Sequence, residues 1–270
     1  IGTPLIDGLG PAMTAVARMM AWRDRRAAPE MAPPAAPDDA VVARWRMRLA
    51  TGVTLEEAEG LALAADFGLD VPQAAIVTDV AEAISAAGKL GYPVVLKTAQ
   101  EGIAHKSDVG GVRLGLTDGD AVADAYENMA ARLGPRCLVS PMAPPGTEMV
   151  FGMVRDATFG PLVLVGAGGI FVEVLKDARL AVPPFDAAFA RRLIDGLRAR
   201  PLLDGVRGRP AADVDALAEA LARFSVLAAT LGEDIAELDI NPVIAGPGGA
   251  IAVDALVVPS AATKKEENTP

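Results

Sequence analysis

Apolar positions along the chain recur at helical spacing in some stretches and in short runs in others, with glycine, proline and capping residues between them. Residues 11–26 predict a helix rich in Ala, Met and Arg. Ala27 to Pro37 follows, rich in Pro and Ala and without an apolar period, and reads as a linker at a domain boundary. A short helix is expected over Val41 to Leu49. Thr54-Leu55-Glu56-Glu57 has the capping-box pattern and opens a helix that should stop at Gly68. A strand, Ala75 to Thr78, is followed by a second cap (Asp79 with Glu82) and a helix ending near Gly91. Val94 to Lys97 predicts a strand, Ala99 to Gly111 a loop, Val112 to Leu116 a strand and Asp120 to Leu133 a helix. Strands are expected over Cys137 to Met142 and Thr147 to Val154, on either side of Pro144-Pro145-Gly146. Phe159-Gly160-Pro161 begins another, through Val165. Gly166-Ala167-Gly168-Gly169 predicts a tight turn, with Ile170 to Leu175 returning as strand. Helices near Ala187 to Arg198 and Asp213 to Leu231 precede two closing strands, Ile235 to Ile240 and Ala250 to Val257. Lys264 to Pro270 is polar and expected to be disordered. Hairpin-like strand pairs mixed with helices give an α+β class and exclude a doubly wound parallel sheet; no internal repeat is visible.

Composition narrows what this framework can do. The 270 residues allow one large domain or two smaller ones, and 51% hydrophobic content supplies a core. With 4% aromatics, that core must be built from Ala, Val, Leu and Ile. A formal charge of −10 argues against a nucleic-acid partner. The single cysteine, Cys137, lies in an apolar run and reads as core; it excludes an intrachain disulfide and fits a reducing, cytoplasmic compartment. The longest apolar run, Leu162 to Leu175, is interrupted by Gly166, Gly168, Gly169 and Glu173, so no membrane partner is expected. No secretory signal is read. The opening Ile-Gly-Thr-Pro suggests a fragment or one piece of a longer polypeptide.

Three constellations can carry chemistry. The first is Lys97 with the loop Glu101 to Gly111. A strand-end lysine can place a charge on a polyphosphate, Gly110 and Gly111 allow close backbone approach, and the only histidine, His105, can accept a phosphoryl group on nitrogen. A polar hairpin loop with a surface histidine accounts for the same residues equally well. No phosphate-loop motif of the G-x-x-x-x-G-K-S/T type occurs. The second is Gly166 to Gly169 with Glu173, which can cover phosphates and can equally be an ordinary hairpin. The third is Glu237-Leu238-Asp239-Ile240-Asn241-Pro242 with Asp254. Strand alternation puts Glu237, Asp239 and Asn241 on one face, an oxygen-rich set suited to Mg²⁺ held together with phosphates, or to a solvated edge strand. Arg155-Asp156 and Arg207-Gly208-Arg209 read as solvated charges or turns.

Taken in order, Gly91-Tyr-Pro-Val-Val-Leu-Lys97, His105-Lys-Ser-Asp-Val-Gly-Gly-Val112, Phe159-Gly-Pro161, Gly166-Ala-Gly-Gly-Ile-Phe-Val-Glu173, Leu202-Leu-Asp-Gly-Val-Arg-Gly208 and Glu237-Leu-Asp-Ile-Asn-Pro242 resemble the ATP-grasp part of the NDP-forming acyl-CoA synthetases, in the ADP-forming acetyl-CoA synthetase branch. The resemblance runs from about Thr54 to Val258 and implies an ATP-grasp fold over 41–258. Its first subdomain would cover about 54–140 and its second 141–258, after a preceding-domain remnant (1–26) and a linker (27–40), with a tail over 259–270. It implies ATP/ADP and Mg²⁺ as cofactors. Lys97 matches the phosphate-binding lysine. Asn241 and Asp254 match metal ligands, with Asp239 at a nearby acidic position. Val139, Ser140 and Met142 fall where a hinge strand meets the adenine, Glu148 matches an acidic position on the nucleotide side, and Gly110, Gly111, Gly168 and Gly169 belong to the glycine loops. His105 matches a transiently phosphorylated histidine that succinyl-CoA synthetase lacks in its corresponding loop. The CoA-binding half and its own phosphohistidine are not in this sequence, so the resemblance implies that a partner chain or a missing N-terminal part supplies them, in a hetero- or homo-oligomer. Two alternatives stand beside this: a carboxylate ligase that forms an acyl phosphate directly, and a non-enzymatic nucleotide-sensing module.

Overall fold

The structure is a computed structural model describing residues 8–27, 30–100, 102–103, 106–168, 177–205, 208 and 210–260. The chain divides into two units, residues 1–32 and 33–270. Among its described residues the first contains one helix, α1 (Leu9–Ala27).

Among its described residues the second unit holds two antiparallel sheets. Its chain begins with α2 (Asp39–Ala50) and α3 (Glu57–Asp66). The smaller sheet follows: β1 (Ala75–Val77), α4 (Val80–Leu90), β2 (Val94–Thr98), β3 (Val112–Leu116), α5 (Gly119–Leu133) and β4 (Cys137–Pro141), in the order β1-β4-β2-β3. Its two helices start where short polar side chains cap them. Asp79 accepts from the N–H of Glu82, and Asp118 from that of Ala121, each closing a donor the helix leaves free. Val77, Val94, Leu96, Cys137 and Val139 pack against Ala83, Ala87, Val122 and Met129 of the helices. Cys137 is core, as expected, and burial pushes its thiol up to about 11.

The larger sheet contains β5 (Thr147–Asp156), β6 (Gly160–Ala167), β7 (Ala178–Ala181), β8 (Ile235–Gly246), β9 (Gly249–Ala252) and β10 (Ala255–Pro259). The order is β10-β8-β5-β6-β7, with β9 also on β8. Between β7 and β8 run α6 (Ala187–Asp195), a 3₁₀ turn (Arg200–Asp204) and α7 (Val214–Leu231). Met149, Phe151, Val163, Val165, Leu238 and Ile240 meet Leu217, Leu221 and Phe224 of α7 in a largely aliphatic core. Val42, Trp45 and Leu49 of α2 and Leu61, Leu63 and Ala64 of α3 belong to that same core. Thus α3 packs on the larger sheet although it precedes the smaller one in sequence.

Four sequence expectations change. The capping box before α3 is formed by Glu56 and Glu59, and Thr54 takes no part, because Leu55 is drawn into a bridge with Val257 and the helix starts at Glu57. Gly166 and Ala167 are not turn residues: both remain in β6, paired with Val150 and Met149 of β5. β7 was not expected; its four residues are too few to show a period. The strand expected over Ala250 to Val257 is two strands, β9 and β10, interrupted at Val253 and Asp254. The strand expected over Ile170 to Leu175 and the tail from Lys264 lie outside the described residues, as do Arg207 and Arg209.

Candidate functional site

The interruption between β9 and β10 lies opposite an irregularity in β8. Along β5 two steps, Met149 to Phe151, match three along β8, Val243 to Ile240. Leu238, Ile240, Val243 and Ala245 all point into the core, so Asn241 and Pro242 together occupy one outward position. Such a bulge bends the strand and re-aims side chains. Across the gap, the Asn241 N–H donates to the Asp254 carbonyl (3.2 Å), and the Val253 N–H to the Pro242 carbonyl (3.1 Å). The alternation expected for Glu237, Asp239 and Asn241 holds up to the bulge, with Leu238 and Ile240 buried beneath. The strand is interior, flanked by β10 and β5, and not the solvated edge that was the alternative. Asp239, Asn241 and Asp254 are thereby gathered at one place: the Asn241 amide is close enough to favour the charged form of Asp239, and Asp254 is linked to Asn241 through the backbone.

Lys97 reaches the same place from the smaller sheet. On β2 it faces away from the helices, on the side shared with Val95, Leu138 and Ser140 through the β2–β4 register. Its Nζ donates to the Val253 carbonyl (2.7 Å) and lies 3.7 Å from Asp254 Oδ2. The break in the larger sheet makes that carbonyl available, since it falls between β9 and β10. The third partner, Glu57 at the start of α3, was not foreseen as a site residue. Its Oε1 accepts from Lys97 Nζ at 2.6 Å, and its Oε2 accepts from Lys106 Nζ. The Glu57 side chain is only 5% exposed. One residue earlier, Glu56 pairs at 2.8 Å with Arg136, the residue just before β4. The only sequence cue to Glu57 was its place in a helix-opening pattern.

The other expected site residues are placed differently from one another. Val139 points into the helix-side core of the smaller sheet, and β4 is paired on both sides there, so its side chain does not reach the Lys97 face. Ser140 does lie on the Lys97 face and is buried. Met142 lies just past β4, with its N–H given to the Pro93 carbonyl and the residue 38% exposed. Gly110 and Gly111 do not offer their N–H groups to a ligand; these bond the carbonyls of Ser107 (3.0 Å) and Lys106 (2.7 Å). Both N–H groups are thus paired within the loop itself. Gly111 is needed for another reason: a Cβ there would lie 2.6 Å from Thr98 Cγ2. Glu148 is exposed and shares the outward face of β5 with Gly152, which pairs with Asp239. The Gly168 N–H donates to the Glu148 carbonyl at 2.7 Å, and a Cβ on Gly168 would lie 2.9 Å from the same residue's backbone carbon. His105, Gly169 and Glu173 lie outside the described residues.

Electrostatics at this point are poised for a positive ligand. Burial is the main cause that pushes Asp239 up to about 6; Glu237 and Asp254 add repulsion, and the Asn241 amide opposes them. Asp254 is also raised, by burial first and by Glu57, while Lys97 and Lys106 pull it down. Among the described residues no group of three His, Cys, Asp or Glu side chains converges as a ready-made metal site. Two crowded carboxylates and one amide fit a hard cation that is held by few protein oxygens and completes its shell with phosphate and water. They do not fit an all-protein cage. This place therefore combines an ammonium with oxygen ligands, a set that suits a cation held together with phosphates.

Comparison with known proteins gives the same answer. The ATP-grasp domain family matches residues 47–258. The acetate–CoA ligase (ADP-forming) I subunit beta of Pyrococcus furiosus is 37% identical over 200 residues, 71% of this chain and 86% of that subunit. The acetate–CoA ligase (ADP-forming) I of Archaeoglobus fulgidus is also 37% identical, over 76% of this chain but only 31% of its own length. This chain thus matches most of the first relative and about a third of the second. Among solved structures, the dinucleotide-forming acetyl-coenzyme A synthetase 1 of Ca. Korarchaeum cryptofilum superposes with a TM-score of 0.67 at 37% identity, covering 76% of this chain and 92% of that one. That structure contains coenzyme A and Mg-AMPPCP, with its phosphohistidine segment pointing towards the nucleotide binding site. The chain belongs to the ATP-grasp family, as a nucleotide-handling domain related to the archaeal ADP-forming acetyl-CoA synthetases.

Proposed function

We propose that this chain transfers a phosphoryl group between ATP or ADP and His105, within an enzyme that interconverts acid, CoA and ATP with acyl-CoA, ADP and phosphate. The carrying observation is that Lys97 of the smaller sheet meets Val253 and Asp254 of the larger one, beside Asp239 and Asn241, in a chain of the ATP-grasp family. The CoA-binding half is proposed to be a separate partner or another part of a longer chain, since relatives of about three times the matched length exist. A cytoplasmic setting goes with it, on the lone buried thiol of Cys137. No described helix is long and apolar enough to cross a membrane.

The residues divide the work by their chemistry. Lys97 supplies a fixed positive charge for the phosphates, held by Glu57 and the Val253 carbonyl so that little reorganisation is needed at the moment of transfer. Met142, exposed just past the end of β4, would meet the base, with Ser140 on the adjoining face, and Glu148 would line the nucleotide side from the larger sheet. Asp239, Asn241 and Asp254 are the residues that would hold Mg²⁺, which when bound neutralises charge on the phosphate oxygens. At His105 the phosphorus–nitrogen bond breaks as an oxygen of ADP bonds to phosphorus, and the electron pair returns to the imidazole. A histidine carrier accounts for coupling two sites, because direct transfer requires reacting atoms about 3–3.5 Å apart. The likeness to a solved relative with a phosphohistidine segment directed at its nucleotide supports this reading.

Incubation with γ-labelled ATP should label the wild-type chain through an acid-labile, alkali-stable bond, and His105→Ala should carry no label while binding ADP normally. Wild-type turnover by His105→Ala, with the CoA-binding half present, would refute the relay and favour direct acyl-phosphate formation.

A further inference from the structure

Glu57 has a geometry that a simple brace between elements does not need. Its carboxylate is buried, and each oxygen is committed to a different lysine: Oε1 to Lys97, 40 residues on, and Oε2 to Lys106, 49 residues on. Both lysine side chains are largely buried, 9% and 16% exposed. An ammonium carries three donor hydrogens. On Lys97 two are accounted for by Glu57 and the Val253 carbonyl, at 2.6 and 2.7 Å, and Asp254 Oδ2 lies 3.7 Å from the same nitrogen. Two fixed bonds define where the third hydrogen points. Lys106 is anchored by the other oxygen and carries the backbone that accepts from Gly111 and immediately follows His105. The backbone of α3 cannot drift from β10, because Gly60 packs against Ala255, where even a Cβ would lie 3.0 Å from the Ala255 Cβ. Glu57 is therefore mounted on an element tied to the larger sheet and holds two cations contributed by the smaller one and its loop.

We propose that Glu57 is a positioning residue: it fixes the direction of Lys97 and the location of Lys106 for the phosphates, without touching the nucleotide itself. This rests on the phosphoryl-transfer reading above. It predicts a particular division of effects. With Glu57 removed, Lys97 keeps its charge and still attracts phosphate, but it is no longer held in one orientation. Ground-state binding should change little and the transfer step should suffer. Misplacing a group by about 1 Å can cost about 100-fold in rate.

The test uses Glu57→Gln, which keeps the size and loses the charge, and Glu57→Asp, which keeps the charge and retracts it by one methylene. In the nucleotide-free chain, acetylation of Lys97 and Lys106 by an N-hydroxysuccinimide ester is followed by peptide mass spectrometry. Both lysines should react at least about fivefold faster in Glu57→Gln, because charge-assisted bonds that bury them are gone. With the CoA-binding half present, kcat should fall at least about tenfold in both variants while KM for ADP and calorimetric Mg-ADP affinity stay within about threefold. Unchanged labelling overturns the proposal. So does an unchanged kcat in either folded variant, or a loss confined to KM. If Glu57→Gln melts too low to assay, Glu57→Asp carries the same test. Failure of the wild type to bind Mg-ADP at all would overturn the nucleotide reading and this inference together; wild-type binding with an unaffected kcat in the variants would overturn this inference alone.

Discussion

Asp239→Asn should make the nucleotide-free protein more stable while weakening its hold on Mg-nucleotide. The wild-type carboxyl has its pKa raised to about 6, chiefly by burial, with repulsion from Glu237 and Asp254. In the unfolded chain it titrates near the ordinary 3.8. The native state thus binds the proton more tightly than the unfolded state, and stability falls as pH rises between those two values. Below about 3.8 both states hold the proton and no cost is felt. Above about 6 the cost is complete, at about 1.4 kcal/mol per pKa unit, or about 3 kcal/mol. Asparagine resembles the protonated acid and can still meet the Asn241 side chain. The variant should therefore gain about 2–3 kcal/mol over wild type at pH 7.5, and the gain should shrink to nothing near pH 4. For a unit of this size that corresponds to a rise of about 5–10 °C in melting temperature. Scanning calorimetry at pH 7.5 and pH 4, with EDTA present, measures both ends. Equal or lower stability of the variant at pH 7.5 would refute the reasoning, because it would mean that burial of this carboxylate carries no uncompensated cost. With millimolar Mg-ADP the order should reverse: the wild type should gain stability by binding and the variant should gain less.

Asn241→Ala and Asp254→Ala should each weaken Mg-ADP affinity at least about tenfold by calorimetry, because the oxygen set at the bulge is small and each member is a large part of it. Gly111→Ala should lower stability by about 1–3 kcal/mol in chemical denaturation, since the new methyl would approach Thr98 Cγ2 to 2.6 Å and the Lys106 carbonyl to 3.0 Å. A change below about 0.5 kcal/mol would show that the loop can move aside. Phe151→Ala, at the fully buried contact with Phe224, should cost about 3–5 kcal/mol, read as a lower urea midpoint.

Much of the framework is legible because it is encoded locally. Asp79 and Glu82 sit three residues apart and cap α4 with no help from distant chain. Gly68 was a sound stop for α3, taking a left-handed φ of +86° just beyond it. Glu237 to Asn241 alternates visibly, and the oxygen-bearing face follows from that alternation. The interruption at Val253 and Asp254 is different. Ala250 to Val257 is an unbroken apolar run apart from Asp254, and only its pairing with a bulged β8 divides it. Gly166 looked like a turn because glycine usually marks one. Here it lets β7 lie close, with the Asp177 carbonyl 3.1 Å from where a Cβ would be. Glu57 was hidden for the same reason as the break: its meaning depends on lysines 40 and 49 residues away. Local patterns reveal elements and faces, whereas contacts that join separate elements must be seen.

The mounting of α3 has a consequence for anyone recombining these domains. A graft cut at the edges of the smaller sheet, before β1 and after β4, would look clean on the strand diagram. It would leave Glu56 and Glu57 behind in the recipient, facing an arginine and two lysines of foreign choice. A transplant of the lysine-bearing sheet should instead carry the first turn of α3 with it, or restore the acidic pair by mutation, so that the exchanged module arrives with its own counter-charges.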